Sequence, residues 1–287
     1  MNINKLTLNS PLFPEPLRHI DQTPHTLYYC GLPLEELMAR PRVAIVGSRR
    51  VSSYGKQVTM QLAGQLAEQG VVIVSGLAIG VDALAHQAAM DAGGLTLAVL
   101  PSPIERIAPS SNEWLARRIL DGRGGLITEY GPAAETYKYN FVERNRLVAG
   151  LADIVIITEA ALGSGSLHTA QFAVDQGVHV MAVPGNITSN MSAGTNNLLK
   201  RYGAPVTSVL DVMQALNLST AHIRLTKPKG TDKPEQLILD LLEIEIMNSD
   251  QLINKSRLPV NVYSQTMTRL EIGNKIRALG NDRWALT

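Results

Sequence analysis

The chain has 287 residues, of which 45% are hydrophobic, and its formal net charge at pH 7 is +1. This size allows one large core and a small second unit, and the low net charge excludes a global basic field that would attract nucleic acid. The single cysteine, Cys30, excludes an internal disulfide framework and a multi-cysteine metal site. The N-terminus lacks the order of a signal peptide and no apolar run is long enough to span a bilayer, so we expect a cytoplasmic protein.

Apolar runs that alternate with helical patterns dominate the middle of the chain. Residues 1–40 are proline-rich without clear periodicity, so we predict an irregular N-terminal extension there. From Arg42 onward, six runs read as strands: RVAIVGS, VVIVSG, LTLAVL, GLITEY, DIVIITEA and VHVMAVPG. Continuous apolar strands alternating with helices are typical of a parallel sheet covered on both faces. We therefore predict an α/β, Rossmann-like, doubly wound domain with a mostly parallel sheet over residues 41–217.

The C-terminal part of the chain differs in pattern. Residues 218–234 are polar, contain Pro and Gly, and are predicted to be a linker. Residues 235–287 contain three helical patterns and then a β-like tail, which is the order of a small winged-helix domain. Residues 222–287 hold ten Lys or Arg and eight Asp or Glu, so we do not expect this domain to bind duplex DNA.

Small and polar residues follow the predicted strands at the edge where such sheets bind ligands. In GSRRVSSYGK, Gly47 allows a tight turn, Ser48 and backbone N–H groups can hold a phosphate oxygen, and Arg49 can pair with one. The alternative is an ordinary turn with a solvated arginine.

A second loop, SGLAIGVDALAH, repeats this arrangement with Ser75, Gly76 and Gly80. Asp82 and His86 lie four residues apart on one predicted helical face. They could be an acid/base pair or half of a metal site. We favour an Asp–His pair that shapes the loop, because no third metal ligand or second carboxylate follows at a spacing typical of such a site. No pattern in the sequence indicates a cofactor or a metal ion.

Two further stretches complete the candidate site. In ERNRLVAG, Arg144, Asn145 and Arg146 start a helix, and the two arginines do not share a helical face. One could reach a ligand while the other braces a carboxylate such as Glu143 or Glu159; purely structural pairing is the alternative. In EAALGSGSLHTA, a loop of Gly163, Ser164, Gly165 and Ser166 (the 163–166 loop) suits an anion at a helix N-terminus but is a weak dinucleotide motif.

Cations and aromatic residues alternate near these loops. Such a mixture suits a single strand of nucleic acid, although scattered surface charge and core aromatics would give a similar pattern. The residues are Arg49, Arg50, Lys56, Lys138, Arg144, Arg146, Lys200 and Arg201, with Tyr54, Tyr137, Tyr139, Phe141 and Tyr202.

The stretches VAIVGSRRVSSYG, VIVSGLAIGVDALAH, FVERNRLVAGLADIVIITEAALGSGSLHTAQFA and GTNNLLKRYGAP closely resemble the DprA/Smf family of DNA-processing proteins. The resemblance implies an extended Rossmann fold that binds single-stranded DNA, and a homodimer that protects incoming DNA and helps load the recombinase RecA during natural transformation. The family is not known as an enzyme. Its DNA-binding positions correspond here to Ser48, Arg49, Ser75, Gly76, Gly80, Lys138, Arg144, Asn145, Arg146, Gly163, Ser164, Gly165 and Ser166.

Where many family members have a glycine-rich turn and a Tyr-Pro pair, this chain has LPSPIERIAPSSN. Two other functions remain as alternatives. A related Rossmann family cleaves nucleoside monophosphates through a PGGxGTxxE loop, but the trailing glutamate is missing from EAALGSGSLHTA. The other is a regulatory scaffold whose winged helix binds a protein or duplex DNA.

Overall fold

A computed structural model describes residues 2–122, 124–219, 228–273, 275–280 and 282–286. The chain divides into two compact units, Met1–Thr220 and Ala221–Thr287. Within the described ranges, no helix has the length and apolar character needed to cross a membrane.

The first unit is built on one sheet, to which nine strands belong among the described residues. They are β1 (Asn4–Thr7), β2 (Thr26–Gly31), β3 (Arg42–Val46), β4 (Val72–Ser75), β5 (Thr96–Val99), β6 (Gly124–Thr128), β7 (Ile154–Ile157), β8 (His179–Ala182) and β9 (Ala204–Pro205). Their order in the sheet is β1-β2-β6-β5-β4-β3-β7-β8-β9. In this order, all seven strands from β6 across to β9 run parallel to their neighbours. The order reverses between β3 and β7, which creates the switch point at which open α/β sheets bind ligands.

Helices cover both faces of this sheet. They are α1 (Leu34–Met38), α2 (Ser53–Glu68), α3 (Val81–Asp91), α4 (Glu113–Leu120), α5 (Asn140–Glu143), α6 (Asn145–Gly150), α7 (Ser166–Asp175), α8 (Ala193–Arg201) and α9 (Val209–Ala215). In β5, Leu97 and Val99 belong to one buried cluster and Ala98 to another, because successive side chains of a strand point to opposite faces. The prediction of a doubly wound, mostly parallel α/β sheet is confirmed, and all six predicted strands are present as β3 to β8.

The prediction that residues 1–40 are irregular is wrong. β1 pairs with β2, and β2 pairs antiparallel with β6 in the register Tyr28↔Thr128. A 3-10 helix (Glu15–Arg18) and α1 complete this segment. Both strands are short, and the partner that fixes β2 lies about one hundred residues further along the chain, so local periodicity carries little signal for them.

The second unit contains α10 (Lys233–Ile244), β10 (Met247–Asn248), α11 (Ser249–Ser256), α12 (Val260–Ile272), β11 (Ile276–Gly280) and β12 (Arg283–Leu286). Its three strands pair in the order β10-β12-β11, and Ile238, Leu252 and Leu270 form part of a separate core. The predicted three helices and hairpin of a winged helix are confirmed.

The predicted linker, residues 218–234, lies partly outside the described residues, which resume at residue 228. α10 begins at Lys233, inside the predicted linker, because the Asp232 side chain accepts a hydrogen bond from the Glu235 N–H group (2.9 Å) and caps the helix.

Candidate functional site

A cavity of about 740 Å³ opens beyond the carboxyl ends of β3 and β7, at the switch point of the sheet. It brings together loops that are far apart in sequence. Of the predicted site residues, it is lined by Ser48, Arg49, Lys138, Arg144, Asn145, Gly163, Ser164, Gly165 and Ser166. Ser75, Gly76, Gly80 and Arg146 are outside this lining.

One wall of the cavity is the turn after β3. The Ser48 N–H group donates to the Glu159 carbonyl oxygen (2.7 Å), and the Ser48 hydroxyl accepts from the Arg50 N–H group (3.0 Å). These two amides are therefore already used within the protein. Arg49 is exposed, and its guanidinium lies over the Phe141 ring, 5.2 Å from the centroid. The aromatic contact orients Arg49 at the cavity mouth and leaves its N–H donors accessible to an anion.

Glu159 closes the N-terminus of α2, which follows this turn. Its carboxylate accepts from the Ser52 N–H group (2.8 Å) and from the Ser52 hydroxyl, and Glu159 is only 2% exposed. A negative carboxylate stabilises the positive end of the helix dipole and occupies the position where a phosphate would bind in the first βα unit. The possibility that an arginine braces Glu159 is wrong, because Ser52 holds this carboxylate.

The second predicted loop shapes the site from below. The buried Ser75 hydroxyl donates to the Ile45 carbonyl oxygen (2.7 Å). Gly80 has φ +90° and packs against the backbone of Ser48 and Arg49, where a side chain would clash. A Cβ at Gly76 would overlap with Arg144 and Asp82. These three residues allow close packing beneath the turn.

Asp82 and His86 do not form the predicted pair. Asp82 lines the floor of the cavity and accepts from the N–H groups of Gly76 (3.1 Å) and Ala78 (3.4 Å), so Asp82 shapes the loop by itself. His86 Nδ1 instead lies 2.6 Å from the Thr96 hydroxyl. Burial, and then the charge of Arg144, lower the pKa of His86 to about 3, which keeps the ring neutral at neutral pH.

The two arginines of the ERNR stretch have different surroundings. Arg144 is 2% exposed and donates to the carbonyl oxygens of Gly76 and Val99. Burial lowers the pKa of Arg144 to about 10, and Asp82 partly opposes the shift, so Arg144 stays charged at neutral pH in the floor. Arg146 forms an ion pair with Glu129 (2.5 Å). The expectation that one of these arginines reaches a ligand does not agree with the structure, because Arg144 is buried and donates to backbone carbonyl oxygens. The expectation that the other braces a carboxylate agrees with it, but the carboxylate is Glu129.

The 163–166 loop lines the same cavity as Arg49. A Cβ at Gly163 or Gly165 would meet open space, and the hydroxyls of Ser164 and Ser166 lie 2.8 Å apart. Asn145 extends one amide N–H to the Gly165 carbonyl oxygen (3.4 Å). The Ser166 N–H group, the first of α7, donates to the Ser164 hydroxyl (3.4 Å), and the Leu167 N–H group donates to the Ser164 carbonyl oxygen (3.1 Å). This loop can therefore contact an anion through its hydroxyl groups and the positive end of the α7 dipole.

Lys138 and Arg50 are exposed and contribute further positive charge to the lining. Of the aromatic residues predicted near the site, Phe141 lines the cavity. Met191, from the segment before α8, was missed, and no local motif around it marks a binding residue. The described residues contain no cluster of three or more His, Cys, Asp or Glu that could hold a metal ion.

Comparison with known proteins finds similar sequences in one family. The DNA processing protein DprA of Streptococcus pneumoniae is 39% identical over 205 residues, which cover 70% of each chain. The Escherichia coli protein Smf is 36% identical over 246 residues, 83% of this chain and 66% of its own. Relatives from Mycobacterium tuberculosis are 39% identical over 197 residues, and the match spans about half of their length.

Two solved structures are similar as well. The S. pneumoniae DprA structure has a TM-score of 0.70 at 36% identity and covers 75% of this chain and 74% of its own. A structure of DNA processing protein A from Helicobacter pylori, described for its single-stranded DNA binding mode, has a TM-score of 0.67 at 32% identity. The match covers 76% of this chain and 96% of the H. pylori chain. The family models for DNA recombination-mediator protein A and for the DprA winged helix domain match residues 4–217 and 225–282. The chain belongs to the DNA recombination-mediator protein A family, DprA/Smf.

Proposed function

We propose that this protein binds single-stranded DNA at the mouth of the cavity, protects incoming DNA and helps a RecA-type recombinase load onto it during natural transformation and recombination. It would act in the cytoplasm as a homodimer. The observation that carries the DNA-binding proposal is the convergence of exposed Arg49, exposed Lys138 and the 163–166 loop on one cavity. The relationship to the H. pylori protein, whose structure was described for binding a single strand, supports it.

Phosphate binding at the mouth follows from the accessible donors. Arg49 presents a guanidinium that can make two parallel hydrogen bonds to a phosphate, and Lys138 adds a point charge. The positive end of the α7 dipole and the hydroxyls of Ser164 and Ser166 add further favourable contacts for a phosphate. A site of this kind releases counterions on binding, so its affinity should fall as salt rises.

The shape of the site favours a single strand over a duplex. Apolar side chains, among them Val46, Phe141 and Met191, line the cavity behind the mouth. An unpaired base can leave a single strand and enter such a cavity, whereas the bases of a duplex remain stacked and paired. The cations at the mouth would then hold the adjoining phosphates.

The second candidate function, cleavage of nucleoside monophosphates, lacks its carboxylate. Asp82 is the carboxylate among the described lining residues, and its Oδ2 already accepts from two backbone N–H groups. Glu159 lies outside that lining and its carboxylate is engaged by Ser52. Neither arrangement favours attack on a sugar.

The test is fluorescence anisotropy with labelled oligo-dT and the matching duplex across a salt series. We expect binding that prefers the single strand and weakens with salt. No binding to either DNA at low salt would overturn the proposal and direct attention to hydrolysis of monophosphates. With binding established, RecA filament formation on DNA coated with a single-strand binding protein tests loading, nuclease digestion tests protection, and analytical ultracentrifugation tests the dimer.

A further inference from the structure

Two tyrosine rings, those of Tyr137 and Tyr139, stack on each other in an exposed position. The ring centroids are 5.4 Å apart and the planes differ by 7°. Tyr137 is 49% exposed and Tyr139 is 57% exposed. Rings with this much surface in water gain free energy when a planar apolar partner covers them.

The pair lies next to the proposed DNA-binding site. Lys138 stands between the two tyrosines in sequence and lines the cavity. A phosphate held by Lys138 carries nucleotides on both of its sides. One of their bases can enter the cavity while the other remains outside, close to the tyrosine rings.

The segment that carries the tyrosines is held in place by its neighbours. Arg106 Nη2 donates to the carbonyl oxygens of Pro132 (3.0 Å) and Ala134 (2.6 Å). The Tyr137 hydroxyl donates to the Glu135 carboxylate (2.6 Å). Arg106 belongs to LPSPIERIAPSSN, the stretch in which this chain departs from many family members. Because these contacts order the segment before DNA arrives, little conformational entropy is lost on binding.

We propose that the Tyr137–Tyr139 pair is a second base-binding subsite, on which a base next to the nucleotide held at the cavity stacks. This inference rests on the proposed binding of single-stranded DNA and adds a specific contact to it. Stacking on an aromatic ring accepts any base, because every base has a π-face. The subsite therefore increases affinity and length dependence without sequence preference.

The test compares wild type with the double variant Tyr137→Ala/Tyr139→Ala. Anisotropy measures Kd for a dT oligomer and for an oligomer of equal length in which abasic residues replace the nucleotides. In wild type, the dT oligomer should bind more tightly. In the alanine variant, dT affinity should fall by at least about fivefold, which is the lower end expected for one stacked base. The difference between dT and abasic oligomers should shrink, while the salt slope stays unchanged.

Two matched variants make the result specific to stacking. Tyr139→Phe keeps both rings and the Tyr137–Glu135 hydrogen bond and removes one hydroxyl, so it should bind dT like wild type. Trp114→Ala removes an aromatic ring that is 52% exposed on α4 and outside the cavity lining, and it should also bind dT like wild type. Thermal unfolding by circular dichroism checks that all variants are folded.

Two outcomes overturn the subsite while the proposed DNA binding stands. These are unchanged dT affinity in the alanine variant and an equal loss on dT and abasic oligomers. Unchanged affinity together with a changed oligomeric state by sedimentation would assign the rings to contact between copies of the chain. Absence of single-strand binding by wild type would overturn the proposed function and the subsite together.

Discussion

Arg49 and Arg144 line the same cavity but differ in almost every physical respect. Arg49 is exposed and its guanidinium rests on the Phe141 ring, whereas Arg144 is 2% exposed and donates to two backbone carbonyl oxygens. A buried arginine whose donors are engaged cannot leave them for a ligand without a large cost. The mouth of the cavity therefore provides cations for binding, and the floor uses its cation to hold two strand ends together.

The largest expected effect is on stability, from Arg144→Ala. The substitution leaves the Gly76 and Val99 carbonyl oxygens without this donor and removes the positive charge beside Asp82. We expect the free energy of unfolding to fall by about 3–5 kcal/mol, as in other buried charge pairs that lose one partner. Urea unfolding followed by circular dichroism measures this. Arg49→Ala is the control and should lower stability by at most about 1 kcal/mol, the value of one exposed cation–π contact. Similar unfolding midpoints for the two variants would contradict the distinction between the exposed and the buried arginine.

The buried side chain of His86, on α3, should make the free energy of unfolding depend on pH. Burial and Arg144 lower the pKa of His86 to about 3, from an ordinary value of 6.5. Between these values the unfolded chain binds a proton that the folded chain does not, so stability is lost as pH falls through this window. The expected slope reaches about 1.4 kcal/mol per pH unit.

His86→Gln should remove this part of the slope, and His168→Gln, which changes an exposed histidine, should retain it. Urea unfolding from about pH 6.5 to 4 provides the measurement. A slope that is identical in wild type and His86→Gln would contradict the assignment.

At the mouth, Arg49→Ala should weaken binding of single-stranded DNA by about tenfold, because one charge-assisted phosphate contact is lost. The slope of log K against log salt should decrease in magnitude by about one. Arg40→Ala is a matched control, since Arg40 is exposed and lies before the opposite end of β3. Anisotropy titrations with oligo-dT compare the three proteins, and equal losses for both arginines would assign the effect to net charge.

The smallest expected effect comes from Phe141→Leu, which removes the ring beneath Arg49. Loss of a cation–π contact at an exposed site costs about 0.5–1 kcal/mol, which corresponds to about a two- to fivefold loss of DNA affinity. If the ring acts by orienting Arg49, the substitution should have less effect in an Arg49→Ala background. A double-mutant cycle on oligo-dT tests this, and strictly additive losses would show that Phe141 acts independently of Arg49.

The parts of the fold that the sequence predicted have a signal in neighbouring residues, whereas the parts that were missed depend on residues far away in sequence. β3 to β8 were predicted because strands buried on both faces read as continuous apolar runs. β1 and β2 were missed because their pairing depends on β6, far along the chain. The winged helix was predicted because its three helices have local patterns and local caps, such as the capping box of Asn248 and Gln251.

The candidate site was predicted as a set of loops, but the roles within it were not separable from the sequence. Arg49, Arg144 and Arg146 each follow or start a predicted element, and nothing in their neighbours tells a solvated guanidinium from a buried one. Glu159 follows a predicted strand, and the sequence does not tell whether its carboxylate is free. In the structure this carboxylate caps α2, which follows β3 on the other side of the switch point.

The sequence by itself determined the α/β class, the winged helix, and the edge of the sheet at which small and basic residues gather. These properties follow from periodicity and from the chemistry of short loops, which are local. Tertiary structure alone decided which arginine is accessible and which carboxylate is occupied. Those properties depend on burial and on partners that the sheet brings together from distant parts of the sequence. The pKa of a side chain, and whether its hydrogen-bond donors are engaged, depend on the groups that surround it in space.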